Sequence, residues 1–530
     1  MNIWLNLILH YLNKYNYMFR IAFLLNISVL LAHLSNAQTK YWITFKDKDT
    51  SGYELSQSIS QETIQKRKLL EIPLYQVSDV PLNHKYLREI SSIGINILHK
   101  SKWLNSVSAY LNSEQLAQLK DKFFVQEIVP INSKVRITSC NEEVNPTSVH
   151  TALAQMQSHF FSDQNLTGKG INIGVIDAGF FRAHLEKNLE HLFKEFRILA
   201  QRDFQNPERK DIITKSETNG DGHGKSVLEK ICGYDADLRV QYGMAVNANF
   251  YIARTENGNK ENRGEEDKWI EAVEWMDSLG VRLISTSLGY STKMDDPLDN
   301  YKLEEMNGST TKISKAAQLA VDNKGIFLVV SAGNEGASAW KIISSPADTR
   351  GALSVGATRE YTLDRIGYSS IGPEFLPYLK PEVSCFSPNG TSFSAPAVTG
   401  FVACLMQKKP SIKNTDLKKV IEQSAHLYPY GNNFIGYGVP QADRALVLLE
   451  NPTQTFKNTI IKKVRGKKIK FKLPENTPNH GIIFHKKNET IVVKQQEVNI
   501  IKRKLKLRRQ TNVTHTTLSV GSIVVEFIWK

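Results

Sequence analysis

The segment NGTSFSAPAVTGFVACL, residues 389–405, joins a turn of small residues to a stretch that is apolar on nearly every side. Pro396 lies near the start of this stretch, where a helix tolerates proline because its first N–H groups lack helical partners. A helix this apolar is expected to lie in a large core. The preceding turn, Gly390-Thr391-Ser392, has two interpretations. It serves close packing, or it presents the Ser392 hydroxyl beside free backbone N–H groups.

The composition indicates a globular protein with an unevenly distributed charge. The 530 residues suffice for two or more domains, and 41% of them are hydrophobic and 23% charged. The net charge is +14. The segment from Lys457 to Arg509 holds 17 Lys/Arg and 3 Asp/Glu, which accounts for this whole excess. The basic character therefore belongs to a C-terminal segment and not to the rest of the chain.

The N-terminus resembles an export signal. Arg20 precedes the apolar run IAFLLNISVLLAHL, which is short for a membrane span, and small residues follow at Ser35 and Ala37. We predict a signal peptide over residues 1–37, cleaved near Ala37, and a protein that is secreted or attached to the cell envelope. Residues 1–17 are open to interpretation as an over-extended start ahead of Met18. An N-terminal membrane anchor is the alternative.

The rest of the chain divides into four parts by pattern. Residues 38–131 alternate short β-type runs with amphipathic helices, which predicts a small α+β unit, and 132–149 form a polar linker. In 150–450, near-continuous apolar strands (INIGVID, NFYIAR, VRLISTSLG, GIFLVVSAGN, ALSVGAT) alternate with helical patterns. This alternation predicts an α/β fold whose parallel sheet is covered by helices on both faces. Residues 451–530 have a period of two, which predicts short antiparallel strands.

Residues suited to nucleophilic catalysis occur in three motifs of the α/β part. Asp177 ends the strand GINIGVID, His223 lies between glycines in NGDGHGKSV, and Ser392 lies in NGTSFSAP. These residue types suit an orienting carboxylate, a general base and a nucleophile. Each alone also has an ordinary structural explanation, such as a cap or a turn. Asn334, in FLVVSAGNEG, adds an amide donor that suits a developing oxyanion, together with the N–H of the nucleophile.

The motifs VIDAGF, GHG, SLGY, SAGNEG and NGTSFSAP resemble, in order and spacing, those of the subtilisin-like serine proteases, or subtilases. The resemblance covers roughly residues 150–450. It implies a secreted serine endopeptidase that hydrolyses peptide bonds through an acyl-enzyme, with Asp177, His223 and Ser392 as catalytic residues. It also implies that Asn334 is the oxyanion donor and that 38–131 is a propeptide. Such a propeptide acts as chaperone and inhibitor until the zymogen processes itself.

The resemblance also assigns substrate contacts and partners. It places the substrate beside Ser287, Leu288 and Gly289 on one side and Ala332 and Gly333 on the other. Polypeptides are the expected substrates. The family often binds structural calcium, but the sequence has no dense Asp/Asn loop, so no metal ligand is assigned. The four cysteines form no C-x-x-C pair, and their disulfide state is open; they are Cys140, Cys232, Cys385 and Cys404.

Two departures from the family pattern raise an alternative. Lys225 stands where the family usually has threonine, and a cation near His223 would disfavour the imidazolium formed during catalysis. The segment between Pro381 and Gly390 is shorter than the usual connection. The alternative is therefore a catalytically impaired binding or scaffold protein on a subtilase fold.

The basic segment IIKRKLKLRRQ, residues 500–510, has two interpretations. One is a solvated edge-strand face, where lysines discourage aggregation. The other is attachment to an acidic surface. Nucleic acid is not expected as a partner.

Overall fold

The computed structural model describes residues 39–50, 59–131, 152–257, 263–292, 300–456, 459–475 and 477–530. The predicted signal peptide, the whole of the predicted linker and Cys140 lie outside the described residues. Within those ranges, none of the helices is both long and apolar enough to cross a bilayer.

The N-terminal unit is a four-stranded antiparallel sheet with helices. Its elements are β1 (Thr39–Phe45), α1 (Gln61–Leu70), α2 (His84–Ser92), β2 (Ile97–Ser101), β3 (Ser106–Leu111), α3 (Ser113–Lys120) and β4 (Val125–Ile131). The strand order is β2-β3-β1-β4. Each helix begins at a side-chain cap that satisfies a free N–H group, namely Ser60, Asn83 and Asn112.

The central unit alternates strands and helices. Its strands are β5 (Asn172–Asp177), β6 (Ile198–Asp203), β7 (Tyr234–Asp235), β8 (Val240–Gln241), β9 (Asn249–Arg254), β10 (Leu283–Thr286), β11 (Phe327–Ser331), β12 (Leu353–Thr358) and β13 (Val383–Phe386). Its helices are α4 (His159–Ser162), α5 (Glu190–Lys194), α6 (His223–Cys232), α7 (Glu266–Ser278), α8 (Lys312–Asn323), α9 (Thr391–Lys408), α10 (Asn414–Ser424) and α11 (Ala442–Glu450).

Seven of these strands form one parallel sheet in the order β13-β12-β11-β10-β5-β9-β6. Alternate residues of β5 enter different cores: Val175 packs in the core that holds α9, and Ile176 in the core that holds α7 and α8. The sheet is therefore covered by helices on both faces, as the sequence predicts. β6 and β13, at the two edges, were not among the predicted strands, because β6 contains polar residues and β13 is only four residues long.

The N-terminal unit packs on α7 through buried ion pairs. Lys66 Nζ lies 2.6 Å from Asp277 Oδ1, and Lys40 Nζ lies 2.6 Å from Asp267 Oδ2. Glu274, between these two aspartates on α7, accepts hydrogen bonds from the Ser101 hydroxyl at 2.5 Å and from the Trp103 N–H at 3.1 Å. Burying charged groups is costly unless they are paired, so the buried Lys40 and Lys66 depend on their aspartate partners on α7.

The C-terminal unit is built from strands. They are β14 (Thr459–Val464), β15 (Lys468–Lys472), β16 (His480–Lys486), β17 (Val492–Asn499), β18 (Lys504–Arg508), β19 (His515–Val520) and β20 (Ile523–Trp529). Five form a sheet in the order β14-β20-β19-β16-β17, and β15 pairs with β18. The pairs are antiparallel, as predicted, except that β14 runs parallel to β20. β14 and β20, the first and last strands of the unit, are therefore neighbours in the sheet.

The C-terminal unit is layered on the central unit. One face of the five-stranded sheet, with Ile482 and Phe484, packs against Leu427 and Ile435. The opposite face is covered by the apolar side of the β15–β18 pair, where the Phe471 and Phe527 rings lie 5.4 Å apart. The two-stranded pair is therefore the outermost of three layers.

Candidate active site

The carboxyl ends of three neighbouring strands place the sequence-predicted residues at one edge of the sheet. β5 ends at Asp177, β10 is followed by Ser287, and β11 is followed within three residues by Asn334. Because β11, β10 and β5 are adjacent and parallel, these three residues meet at the same edge. Two helices, α6 and α9, begin at this edge and carry His223 and Ser392 in their first turns.

Asp177 and His223 form a hydrogen-bonded pair. His223 Nδ1 lies 2.7 Å from Asp177 Oδ1, and Asp177 is fully buried. The approach depends on Gly224, whose N–H donates to the Gly179 carbonyl at 2.8 Å. A Cβ at Gly224 would lie 2.6 Å from that carbonyl oxygen, so a larger residue would push α6 away from Asp177. Burial lowers the pKa of His223, but the Asp177 carboxylate outweighs it and holds this pKa above its ordinary value.

Ser392 lies in the first turn of α9, after a glycine with special backbone geometry. Gly390 has a φ of 139°, a region that favours glycine, and this conformation starts the helix directly after the turn. The Ser392 hydroxyl donates weakly to the Ser287 carbonyl at 3.5 Å, and the Ser287 hydroxyl donates to the Ser392 carbonyl at 2.9 Å.

His223 is close to this turn. The His223 ring lies 5.6 Å from that of Phe393, the residue after Ser392. Among the described contacts, however, Ser392 makes no hydrogen bond to His223. The Ser392 hydroxyl is directed to the Ser287 carbonyl instead.

Asn334 is anchored by its oxygen, which leaves its nitrogen free to donate. Asn334 Oδ1 accepts from the Thr391 N–H at 2.9 Å and from the Thr391 hydroxyl at 3.0 Å. Because both partners donate, the orientation of the amide is fixed and Nδ2 faces away from Thr391. Asn334 is exposed. Its Nδ2 and the N–H of Ser392, in the first turn of α9, are thus available donors at the same helix start.

The predicted substrate-contacting residues line two sides of a common serine. Ser287 is buried, Leu288 is partly buried and Gly289 is exposed. A Cβ at Gly289 would collide with Ser344 Oγ, and one at Gly333 would lie 3.3 Å from the same oxygen. Ala332, before Gly333, is fully buried. Segments 287–289 and 332–333 therefore face each other across Ser344, which sequence reasoning did not identify.

Lys225 is neutralised by a carboxylate. Its Nζ lies 2.7 Å from Glu186 Oε1, and about one quarter of its side chain is exposed. The partner and the solvent both reduce the repulsion that a lone cation would exert on a protonated His223. This pairing removes one of the two reasons for the catalytically impaired alternative.

The short segment before Ser392 is a continuous, hydrogen-bonded turn. β13 ends at Phe386 and α9 begins at Thr391, so four residues connect them. The Ser387 hydroxyl donates to the Gly390 carbonyl at 2.6 Å, and the Tyr368 hydroxyl donates to the Ser387 carbonyl at 2.5 Å. The turn before Ser392 is therefore held in place without a longer connection.

A buried arginine that sequence reasoning did not identify ties together the segments that carry Asp177 and His223. Arg254 Nε donates to the Ala178 carbonyl at 3.1 Å, and its Nη2 lies 3.2 Å from Asp221 Oδ1. Ala178 follows Asp177, and Asp221 precedes His223 by two residues. Arg254 ends β9 directly opposite Asp177 in the strand register. Its position at a strand end is the signal that could have identified it.

The acidic side chains nearest the site are paired with arginines. No group of three or more His, Cys, Asp or Glu side chains within the described ranges is placed to hold an ion. Asp203 and Asp221 lie together, but Arg254 and Arg209 already pair with both. Guanidinium groups thus supply the positive charge at this cluster.

The three cysteines that the structure describes are free and buried, and burial raises the pKa of each thiol; they are Cys232, Cys385 and Cys404.

Comparisons with known families match two parts of the chain. Residues 168–438 match the model of the subtilase family. Residues 40–147 match the model of the peptidase S8 propeptide domain of Bacteroidota. The first match spans the whole of the site described above, and the second begins at β1.

Curated relatives are similar over most of their length. An alkaline protease of Alkalihalobacillus alcalophilus is 25% identical over 368 residues, which cover 68% of this chain and 84% of the relative. Subtilisin BL of Lederbergia lenta is 27% identical over 307 residues, which cover 56% of this chain and 98% of the relative. M-protease of Shouchella clausii is 26% identical over 369 residues, 68% of this chain and 84% of the relative.

A solved structure shares the fold. It is a mutant of the epidermin leader peptide processing serine protease from Staphylococcus aureus. The TM-score is 0.52 at 13% identity, and the match covers 77% of this chain and 99% of that one.

Proposed function

We infer the function of this chain from its family, since it belongs to the subtilase family and is a serine endopeptidase with a propeptide domain. We propose that it is exported as a zymogen, that it processes itself, and that Asp177, His223 and Ser392 form its catalytic triad. The observation that carries the assignment of the triad is the 2.7 Å hydrogen bond between His223 Nδ1 and the buried Asp177 carboxylate. This bond leaves Nε2 as the nitrogen that can accept a proton. A histidine oriented in this way beside a serine at a helix start suits acyl transfer.

The reaction proceeds in two halves. In the first, Ser392 Oγ attacks the carbonyl carbon of the substrate while His223 Nε2 takes its proton. The proton then passes to the leaving amine as the C–N bond breaks, which leaves an acyl group on Ser392. In the second half, His223 takes a proton from water as the hydroxide adds to the acyl carbon. The bond between the acyl carbon and Ser392 Oγ then breaks, His223 returns the proton to Oγ, and the carboxylic acid product leaves. Asp177 stabilises the imidazolium formed in both halves.

The oxyanion is held by two donors. Asn334 Nδ2 is the first, since Asn334 Oδ1 is engaged by Thr391. The Ser392 N–H is the second, and the start of α9 contributes a favourable dipole. Ser287 to Gly289 and Ala332 to Gly333 form opposite walls of the pocket for the substrate residue that precedes the scissile bond.

The N-terminal unit serves as the propeptide. Its docking on α7 through Lys40, Lys66 and Ser101 supports a tight intramolecular association. Inhibition by this unit ends when the chain is cut beyond β4. Export is supported by the apolar run after Arg20 and the small residues up to Ala37.

The full chain and a Ser392→Ala variant test this proposal. Both are treated with a fluorophosphonate probe, and their N-termini are sequenced. We expect labelling and a new N-terminus beyond residue 131 in the wild type alone. Ser394→Ala is the matched control, since Ser394 is two residues away and donates to the Thr391 carbonyl.

Two results would contradict the proposal. Labelling of a folded Ser392→Ala protein would exclude Ser392 as the nucleophile, and the same cut in both proteins would exclude self-processing. Circular dichroism establishes that each variant is folded before it is labelled.

A further inference from the structure

The outer face of the β15–β18 pair carries six cations in register. Lys468 lies opposite Arg508, Lys470 opposite Lys506, and Lys472 opposite Lys504. All six are exposed, and the residues between them point inward. We call these six residues the cationic ladder. Same-face residues on a strand are about 6.7 Å apart and paired strands about 4.8 Å, so the ladder measures roughly 13 by 5 Å between backbone positions.

The ladder lies on the outermost layer of the molecule. The inward residues of these strands, such as Phe471, Leu505 and Leu507, pack on one face of the five-stranded sheet. The other face of that sheet packs against Leu427 and Ile435 of the central unit. The ladder therefore points away from the catalytic unit, and a large partner can contact it without covering the active site.

The ladder is not neutralised within the protein. None of its six cations forms an ion pair with a carboxylate in the described ranges, whereas nearby Arg503 pairs with Glu475 and Lys487 with Glu374. Like charges directly opposite each other on a sheet are destabilising. Three such pairs in succession exceed what protection of an edge strand requires, because single lysines suffice for that purpose.

We propose that the cationic ladder binds an acidic polysaccharide. Its chemistry fits a linear chain of carboxylate or sulfate groups, since two parallel rows of cations follow one straight axis. The ladder face has no aromatic residue to stack on bases, which single-stranded nucleic acid binding uses. Every exposed residue of β15 and β18 is a cation, so these two strands offer no apolar residue to enter a lipid interface, which disfavours a membrane.

The test uses the full chain with Ser392→Ala, which prevents self-cleavage. Its binding to alginate and to dextran sulfate is measured, and uncharged dextran is the negative control. The ladder variant is Lys470→Gln/Lys504→Gln/Lys506→Gln. The matched control is Lys169→Gln/Lys315→Gln/Lys494→Gln, which removes the same charge from exposed lysines elsewhere. We expect the ladder variant to lose at least tenfold in affinity and the control to lose less than twofold. Affinity of the wild type should fall steeply with salt.

Thermal unfolding of each variant shows whether a loss of binding comes from a folding defect. Because the ladder variant relieves like-charge repulsion, its Tm should equal or exceed that of the wild type. Equal binding by ladder and control variants would overturn the proposal, as would absence of binding to either acidic polysaccharide at low salt. Tighter ladder-dependent binding to phosphatidylglycerol vesicles or to oligo-dT would also overturn it, in favour of a membrane or a nucleic acid.

Discussion

Arg254 Nη2 lies 3.2 Å from Asp221 Oδ1, and both side chains are almost completely buried. The same guanidinium donates to the carbonyl of Ala178. One side chain therefore holds the segment that ends in Asp177 and the segment that leads into His223.

Replacing this arginine should reduce both stability and activity. Arg254→Met leaves Asp203 and Asp221 buried without their main partner, which we expect to cost about 3–5 kcal/mol of unfolding free energy. Urea unfolding in the Ser392→Ala background measures this loss. In the active enzyme, kcat should fall because the Asp177–His223 pair loses its support.

Arg209→Met is the control for this prediction. Arg209 pairs with the same two aspartates at 3.4 and 3.5 Å, and its Nε donates to the Asp211 carbonyl rather than to Ala178. We expect a stability loss but a smaller effect on kcat. An equal fall of kcat in both variants would show that charge alone, and not the bond to Ala178, positions the pair.

Removing the Asn334 donor should lower turnover without unfolding the site. Asn334→Asp keeps the Oδ1 acceptor for Thr391, loses the Nδ2 donor and adds a negative charge beside the oxyanion. Loss of one oxyanion donor costs about 10²–10³-fold in kcat, a magnitude taken from subtilisin itself, and repulsion by the new carboxylate makes this loss a minimum. Steady-state kinetics on a peptide substrate measures this, with KM expected to change little. Unchanged kcat in Asn334→Asp would remove Asn334 from the oxyanion site.

The pH dependence of activity should follow the raised pKa of His223. His223 must be neutral to accept a proton, so kcat/KM falls as the pH drops through this pKa. The midpoint of the acid limb is expected above the ordinary value for histidine, because Asp177 raises the pKa of His223. In Asp177→Asn the midpoint should move to lower pH, and kcat should fall by about 10⁴-fold.

Lys225→Thr is the comparison for this pH profile. Because Glu186 already neutralises Lys225, the acid midpoint should rise only slightly. A large upward shift in Lys225→Thr would mean that the cation acts on His223 despite its partner.

Docking of the N-terminal unit should weaken as the pH rises towards 7. Burial raises the pKa of Glu274 from 4.5 to about 7. The docked state therefore holds a proton that the unfolded state releases. Its contribution is present below pH 4.5 and is lost as the pH rises through 7, and it is of the order of 3 kcal/mol at most.

Glu274→Gln tests this dependence in the uncleaved Ser392→Ala protein. The variant cannot ionise, so the stability difference between the two proteins should shift in favour of the variant from pH 5 to pH 8. Denaturant unfolding at both pH values provides the comparison. A difference independent of pH would contradict the raised pKa of Glu274.

The sequence was sufficient to predict the central sheet and its strand ends. Five apolar runs correspond to β5, β9, β10, β11 and β12, because strands buried on both faces leave an unmistakable hydrophobic pattern. Edge strands leave a weaker pattern, so β6 and β13 were missed. Asp177, Asn334 and Ser287 could be placed together because parallel strands end at one edge.

Contacts between distant segments could not be predicted in the same way. The pairing of Lys225 with Glu186 joins residues 39 positions apart, and no local pattern announces it. The Arg254 network and the position of Ser344 between segments 287–289 and 332–333 likewise depend on tertiary packing. The alternation of Lys with apolar residues predicted strands in the tail, but the register that aligns the six cations needed the structure.

The apolar interface between the C-terminal sheet and the central unit limits how far this enzyme can be truncated from its C-terminus. Leu427 and Ile435 are completely buried, and their cover is supplied by residues from Ile482 onward. A chain ended after Glu450 would expose that patch to water and would be prone to self-association. The C-terminal unit therefore covers an apolar patch of the central unit, and a soluble shortened form would need polar replacements at Leu427 and Ile435.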